Sequence, residues 1–278
     1  DVSVLLRAAA VRANQGDRPG AIAYLERARE LDPRSPVVLR VLTNNYTAVG
    51  RFRDAVASGD VLASVIPADV AVAGSQVEAY LRIGDQPGAR AAVKAAVQRG
   101  VPMPELAARL IGTQERGWVL EEADQQLALR LTPSAFDGER DWWAQSLATL
   151  HWQRGDTAMA RVYADSALAP TRAVIARTAA PSQQDGLLGL MLAYLGRAAE
   201  AREASARGRQ DANEGMKGYA LYNSAKAELA LGNRAAALDY LEQMVPLGAP
   251  ELPAILRFDP SYRSLKGDPR YERLLQPK

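Results

Sequence analysis

The chain has no cysteine among its 278 residues. That excludes disulfides, iron–sulfur clusters, thiolate zinc sites and any Cys–His nucleophilic pair. It leaves the compartment open, because a cysteine-free chain suits either redox environment. Histidine is nearly as scarce: a Ser–His–Asp triad would have to use His151, and no Gly-x-Ser-x-Gly elbow accompanies it. A metal would have to be held by carboxylates alone, and no aspartate-rich loop with calcium spacing occurs. Glycine-rich nucleotide loops, a catalytic Asp–Asn loop and an Asp-Phe-Gly step are missing too. The expectation is a chain with no catalytic residue, no metal and no cofactor.

An excess of one charge is also lacking. Lys and Arg number 34 against 32 Asp and Glu, a net charge of +2, and no run of five basic residues occurs. A nucleic-acid binder would gather basic residues on one face, so nucleic acid is not expected as a partner. No apolar run approaches the roughly 18–20 residues that span a bilayer. The sequence opens on Asp1 with no signal-like apolar region, which is read either as a trimmed chain or as a precursor that has lost a targeting segment. A soluble protein is expected, cytoplasmic in preference to periplasmic.

Aromatic residues make up only 6% of the chain, against 48% hydrophobic and 24% charged, with alanine, leucine and arginine prominent. That mixture favours helices packed closely through small side chains. The chain then repeats itself. Gly16, Gly50 and Gly84 stand 34 apart, each followed five residues later by an alanine, Ala21, Ala55 and Ala89. Tyr46 and Tyr80 precede the second and third glycines by four residues, and Pro33 and Pro67 follow the first two by 17. A 34-residue period with these slots predicts a two-helix unit. The glycine closes the first helix in a left-handed conformation, and the alanine lets the second helix approach. The tyrosine fills the space toward the neighbouring pair, and the proline stops the second helix. The register drifts onward through Trp118 and Ala123, Gly155 and Ala160, Gly196 and Ala201, and Gly232 and Ala237. Seven helical hairpins over about residues 2–250 are predicted.

These slots resemble the tetratricopeptide repeat family, most fully at Leu39, Leu42, Tyr46, Gly50, Phe52, Ala55 and Pro67. The resemblance implies an all-α, right-handed solenoid that binds another protein or a peptide. The tail carries two Asp-Pro steps, at Asp259-Pro260 and Asp268-Pro269, each followed by an aromatic, which predicts aspartate N-caps. It is similar to the closing segment of bacterial repeat regions attached to serine/threonine kinases and to transcriptional or cyclase regulators. The expected organisation is five repeats over 1–168, an irregular connection over 169–182 with proline at both ends, two repeats over 183–250 and a capping segment over 251–278. Phe136-Asp137-Gly138 marks a milder interruption.

In that family the first helix of each hairpin lines a concave groove. The resemblance therefore places Arg40, Asn44, Ser75, Glu78, Arg82, Arg109 and Arg116 there in the first half. Of these, Arg40, Asn44, Ser75 and Arg109 loosely resemble a basic clamp for a peptide carboxylate, although the family's clamp lysines and second asparagine are absent. In the second half Trp142, Gln145, Trp152, Tyr219, Tyr222 and Lys226 would supply aromatic anchors, with Trp143 as packing. His151 falls in the slot of Tyr46 and Tyr80, so a packed role is expected. Glu121, Glu122 and Asp124 suit the positive end of a helix, and Glu200 with Glu203 a solvated, charge-balanced face. The leading expectation is a non-catalytic interaction scaffold working through its groove. The alternatives are an accessory subunit of a larger assembly and the sensing region of a signalling protein.

Overall fold

Asp17, Asp69, Asp85 and Asp156 each accept a hydrogen bond from the backbone N–H three residues on, at 2.9, 2.9, 2.8 and 3.1 Å. Each thereby satisfies an orphan donor and starts a helix. The computed structural model describes residues 1–112, 116–179, 181–213, 215–247 and 252–276. Among these, no residue is in a β-strand, and no helix is long and apolar enough to cross a membrane. The chain divides into two units, Asp1–Arg109 and Leu110–Lys278, with the division inside a helix.

The first unit holds α1 (Val2–Asn14), α2 (Arg18–Leu31), α3 (Pro36–Ala48), α4 (Phe52–Val65), α5 (Val70–Arg82) and α6 (Gln86–Gln98). These pack as the hairpins α1/α2, α3/α4 and α5/α6, and α2 and α4 also rest on the first helix of the following hairpin. α7 (Met103–Gly112) carries the division. The second unit continues with α8 (Glu122–Ala128), α9 (Arg140–Arg154), α10 (Thr157–Arg177), α11 (Ser182–Tyr194), α12 (Ala198–Gln210), α13 (Lys217–Ala230) and α14 (Arg234–Met244). Here α9/α10, α11/α12 and α13/α14 are the hairpins, and α11 also packs on α13.

The predicted slots do their predicted work in six hairpins. Gly16, Gly50, Gly84, Gly155, Gly196 and Gly232 all have φ between 76° and 84°. Their partners Ala21, Ala55, Ala89, Ala160, Ala201 and Ala237 are all fully buried. The fourth repeat departs from the expected hairpin. Gly117–Val119 forms a buried 3-10 turn where a closing glycine would stand, α8 runs only seven residues, and Ala123 is exposed. Thr132, beyond α8, is extended, since the residue before proline disfavours the α conformation. After the 3-10 turn Pro133–Phe136, Asp137 and Gly138 take positive φ, the interruption the sequence marks.

The expected irregular connection over 169–182 is corrected. α10 runs 21 residues through Pro170 to Arg177, and α11 begins at Ser182, so the break is confined to the few residues between. Proline in a helix interior removes one hydrogen bond and crowds the carbonyl four residues back, which bends a helix without having to end it. Thr171, fully buried beside it, ties this stretch to α9 by accepting from Gln145 Nε2 at 2.7 Å. Ala180, the junction 248–251 and the last two residues lie outside the described residues.

The tail forms α15 (Leu252–Phe258), a 3-10 turn (Pro260–Leu265) and α16 (Pro269–Leu274). Asp259 and Asp268 accept from Ser261 N and Arg270 N at 2.9 Å each, the N-caps predicted from the two Asp-Pro steps. Leu256, Tyr262, Leu265 and Tyr271 bury themselves against Leu221, Leu238 and Leu241 of the last hairpin. The tail then reaches back to α9, where Arg263 Nη1 donates to Gln153 O at 3.3 Å. Phe258 stacks on Trp118 with ring centroids 6.3 Å apart.

Candidate functional site

The first turns of α9, α11 and α13, the end of α7 and the last turn of α10 surround a cavity of about 370 Å³ in the second unit. Trp142 can lie against α7 because Gly112 has no side chain; a Cβ there would meet the indole at 2.5 Å. Phe136 braces the same indole edge-on, with centroids 5.3 Å apart. Gln145, one turn along α9, is buried and tied to Thr171, so its amide is fixed in place. Ser146 donates its hydroxyl to Trp142 O at 2.6 Å. Tyr219 from α13 completes the aromatic lining, and Val174 and Arg177 from the far end of α10 form one wall. That wall exists only because α10 continues past Pro170.

Three groove residues predicted from the sequence therefore meet in this cavity: Trp142, Gln145 and Tyr219. The other three of the second half go elsewhere. Trp152 stacks on Tyr194 at 4.6 Å and packs into the core between α9 and α11. Tyr222 is buried, donating its hydroxyl to Asp259 Oδ2 at 2.7 Å under the tail. Lys226 is buried with its ammonium 5.1 Å from the centre of the Tyr222 ring. Sequence reasoning missed Asp141, Gln183, Gln184 and Leu187. The last three stand at the start of α11, just beyond the supposed irregular stretch, and Asp141 reads as an ordinary acid in a first helical turn.

In the first unit two of the predicted groove arginines are paired with acids. Arg40 Nη2 pairs with Asp69 Oδ2 at 3.2 Å, and Arg82 Nε with Glu78 Oε1 at 3.1 Å. Asn44 is exposed and Ser75 half-buried. Arg109 lies across Gly74, where a Cβ would meet its Nε at 2.5 Å. No hydrogen bond or ion pair among the described residues joins Arg40, Asn44, Ser75 and Arg109. Arg116, in the second unit, is buried.

The acidic pairs behave as solvated partners. Glu122 is held by Arg154 at 2.6 Å, which together with Gln126 lowers its pKa to about 2. Glu200 pairs with Arg197 at 2.6 Å and Glu203 with Arg207 at 3.1 Å. His151 is buried, stacked on Tyr163, with Nδ1 3.1 Å from Asp156 Oδ2. Burial lowers its pKa, against the opposing pull of Asp156. No cluster of metal-ligating side chains occurs among the described residues.

Glycine-closed, alanine-packed hairpins of this length define a helical-hairpin repeat protein. Its fold is that of the tetratricopeptide repeat proteins. A tetratricopeptide repeat protein from Parabacteroides merdae superposes with a TM-score of 0.57 at 14% identity, over 99% of this chain and 97% of the other. A chain of the Cut9-Hcn1 hetero-tetramer of APC/C superposes with a TM-score of 0.53 at 13% identity, over 96% of this chain and 47% of the other. At these identities the likeness is one of fold. No protein-family model matches the chain, and no curated protein matches it in sequence.

Proposed function

We propose that the chain is a non-catalytic interaction module that takes a segment of a partner polypeptide into the cavity of its second unit. The observation that carries this reading is the cavity itself, lined from several helices by aromatic and polar side chains held by their own packing. Pockets of this size with a few fixed polar groups on apolar walls are suited to recognition. A preformed groove between helices also binds with little backbone rearrangement. The fold likeness agrees with such a role, the Cut9-Hcn1 chain being part of a hetero-tetramer.

The test is selection of binding peptides from a random display library, followed by measurement against two variants. Leu187→Trp, which fills the cavity, should weaken the selected peptides at least about tenfold, ~1.4 kcal/mol. Arg40→Glu with Arg109→Glu in the first unit should leave them unchanged. Selected peptides indifferent to Leu187→Trp would exclude the cavity. A second reading, docking through the first hairpin, rests on Val4 and Val11, seven apart on α1 and both more than half exposed. Its mark would be partner binding lost on Val4→Asp with Val11→Asp and kept in Leu187→Trp.

A further inference from the structure

Resting on that reading, we infer that the segment entering the cavity presents a lysine or arginine side chain to Asp141. Asp141 is only 7% exposed and lines the cavity. It makes no hydrogen bond or ion pair with any described residue. The start of α9 offers it the positive end of the helix dipole, which explains why a carboxylate is tolerated there. The dipole does not occupy the carboxylate's lone pairs, and a buried carboxylate is stable in a closed complex only when paired.

The neighbouring groups point to the same ligand. Gln145 spends one of its two amide N–H groups on Thr171, and its carbonyl oxygen makes no hydrogen bond with a described residue. Gln184 contributes a side-chain oxygen that is buried without a hydrogen-bond partner. Ser146 has spent its proton on the Trp142 carbonyl and can only accept. The inner lining thus offers one carboxylate and several acceptor oxygens beside its amide groups, while its cation, Arg177, is 68% exposed and 4.0 Å from Glu139. Trp142 and Tyr219 add aromatic faces, which attract an ammonium or guanidinium. A partner carboxylate would meet Asp141 as a like charge in a poorly solvated site. An apolar anchor would strip water from Asp141 and Gln184 and give nothing back. A long basic side chain pairs with Asp141, has further N–H groups for the acceptors beside it, and leaves its methylenes on the rings.

The test titrates the full chain with capped tripeptides, acetyl-Gly-Xaa-Gly-amide with Xaa lysine, arginine, glutamine or norleucine, and with cadaverine as a free amine. Lysine or arginine should bind at least about tenfold more tightly than norleucine, ~1.4 kcal/mol. That binding should weaken with added salt and shift the Trp142 indole NMR signal. Asp141→Asn should remove the preference. Because that change also touches the start of α9, its fold is checked by circular dichroism. Gln184→Met, away from that helix start, should independently weaken the basic peptide and favour norleucine. Norleucine binding as tightly as lysine, or a lysine preference untouched by both substitutions, would overturn the inference. Cadaverine binding as tightly as the lysine peptide would overturn a polypeptide source. If display-selected peptides depend on Leu187 yet contain no basic residue, this inference fails and the interaction reading survives. If none depends on the cavity, both fail.

Discussion

Tyr46 and Tyr80 each give their hydroxyl to a carboxylate twenty residues earlier, Glu26 at 2.8 Å and Asp60 at 3.0 Å. Burial and these acids raise both phenols to about 12. The tyrosine slot thus pins one hairpin to the next, and the acid at minus twenty that completes it was not read from the sequence. His151 occupies the same slot in its own repeat with a different consequence. Its folded pKa lies below the ordinary value, about 6.5 in an unfolded chain, so between those two values the unfolded state binds more protons. Stability should therefore fall as pH drops below about 6.5 and level off once the folded pKa is passed. Thermal melts between pH 7 and pH 5 should show this slope in the wild type and a shallower one in His151→Gln. Equal slopes would mean that the imidazole is not held neutral by the fold. Residue by residue, the candidate site was half legible. Trp142 and Gln145 announce themselves as large polar or aromatic groups on a groove-facing stripe. Asp141 does not, because an acid in a first helical turn already has a sufficient local explanation in the dipole.

At the scale of the element, α11 and α12 meet through small residues. A Cβ on Gly208 would come within 2.8 Å of Gly186 N and 2.9 Å of Ser182 O, both backbone atoms that cannot swing aside. Gly208→Ala should therefore destabilise by about 1–3 kcal/mol, read as a lowered midpoint in urea, even though alanine is the better helix former. An unchanged midpoint would mean that the two helices can separate without loss. α10 poses the opposite case. Proline is normally a stop signal, and the sequence pattern placed a break at Ala169-Pro170, yet the helix goes on and carries Val174 and Arg177 to the cavity wall. The pattern misled because local propensity costs only about 3 kcal/mol, which tertiary packing of the buried Thr171 and its neighbours can outweigh. Pro170→Ala should then recover part of that cost, less the 0.4–1 kcal/mol that proline saves in the unfolded chain. A gain of about 2 kcal/mol in chemical denaturation is expected. A loss would mean that proline at position 170 is required to seat the end of α10.

At the scale of the whole molecule, the tail decides which residues of α9 and α13 are available. Tyr219, Tyr222 and Lys226 lie on one stripe of α13, as the spacing of three and four predicts. Only Tyr219, in the first turn, opens on the cavity, whereas Tyr222 and Lys226 are taken up one and two turns further along, Tyr222 by Asp259 and Tyr262. α9 is divided in the same sense: Trp142 and Gln145 face the cavity, and Gln153 meets Asp259 at 3.4 Å. No periodicity within α13 could have shown this, because the cover comes from residues more than thirty positions later. Tyr262 is the centre of the cover, fully buried with its ring 5.9 Å from that of Tyr222. Tyr262→Ala leaves a cavity of ring size in the cluster that seats Leu221, Leu238 and Leu241, and should cost about 3–5 kcal/mol. The loss should appear as faster amide hydrogen exchange in α13, α14 and the last turn of α9, while the first turns of α9 and α11 around Asp141 and Gln184 change least. If exchange instead accelerates first around the cavity, the tail supports the cavity itself, and the division of α9 and α13 into a covered and an open part does not hold.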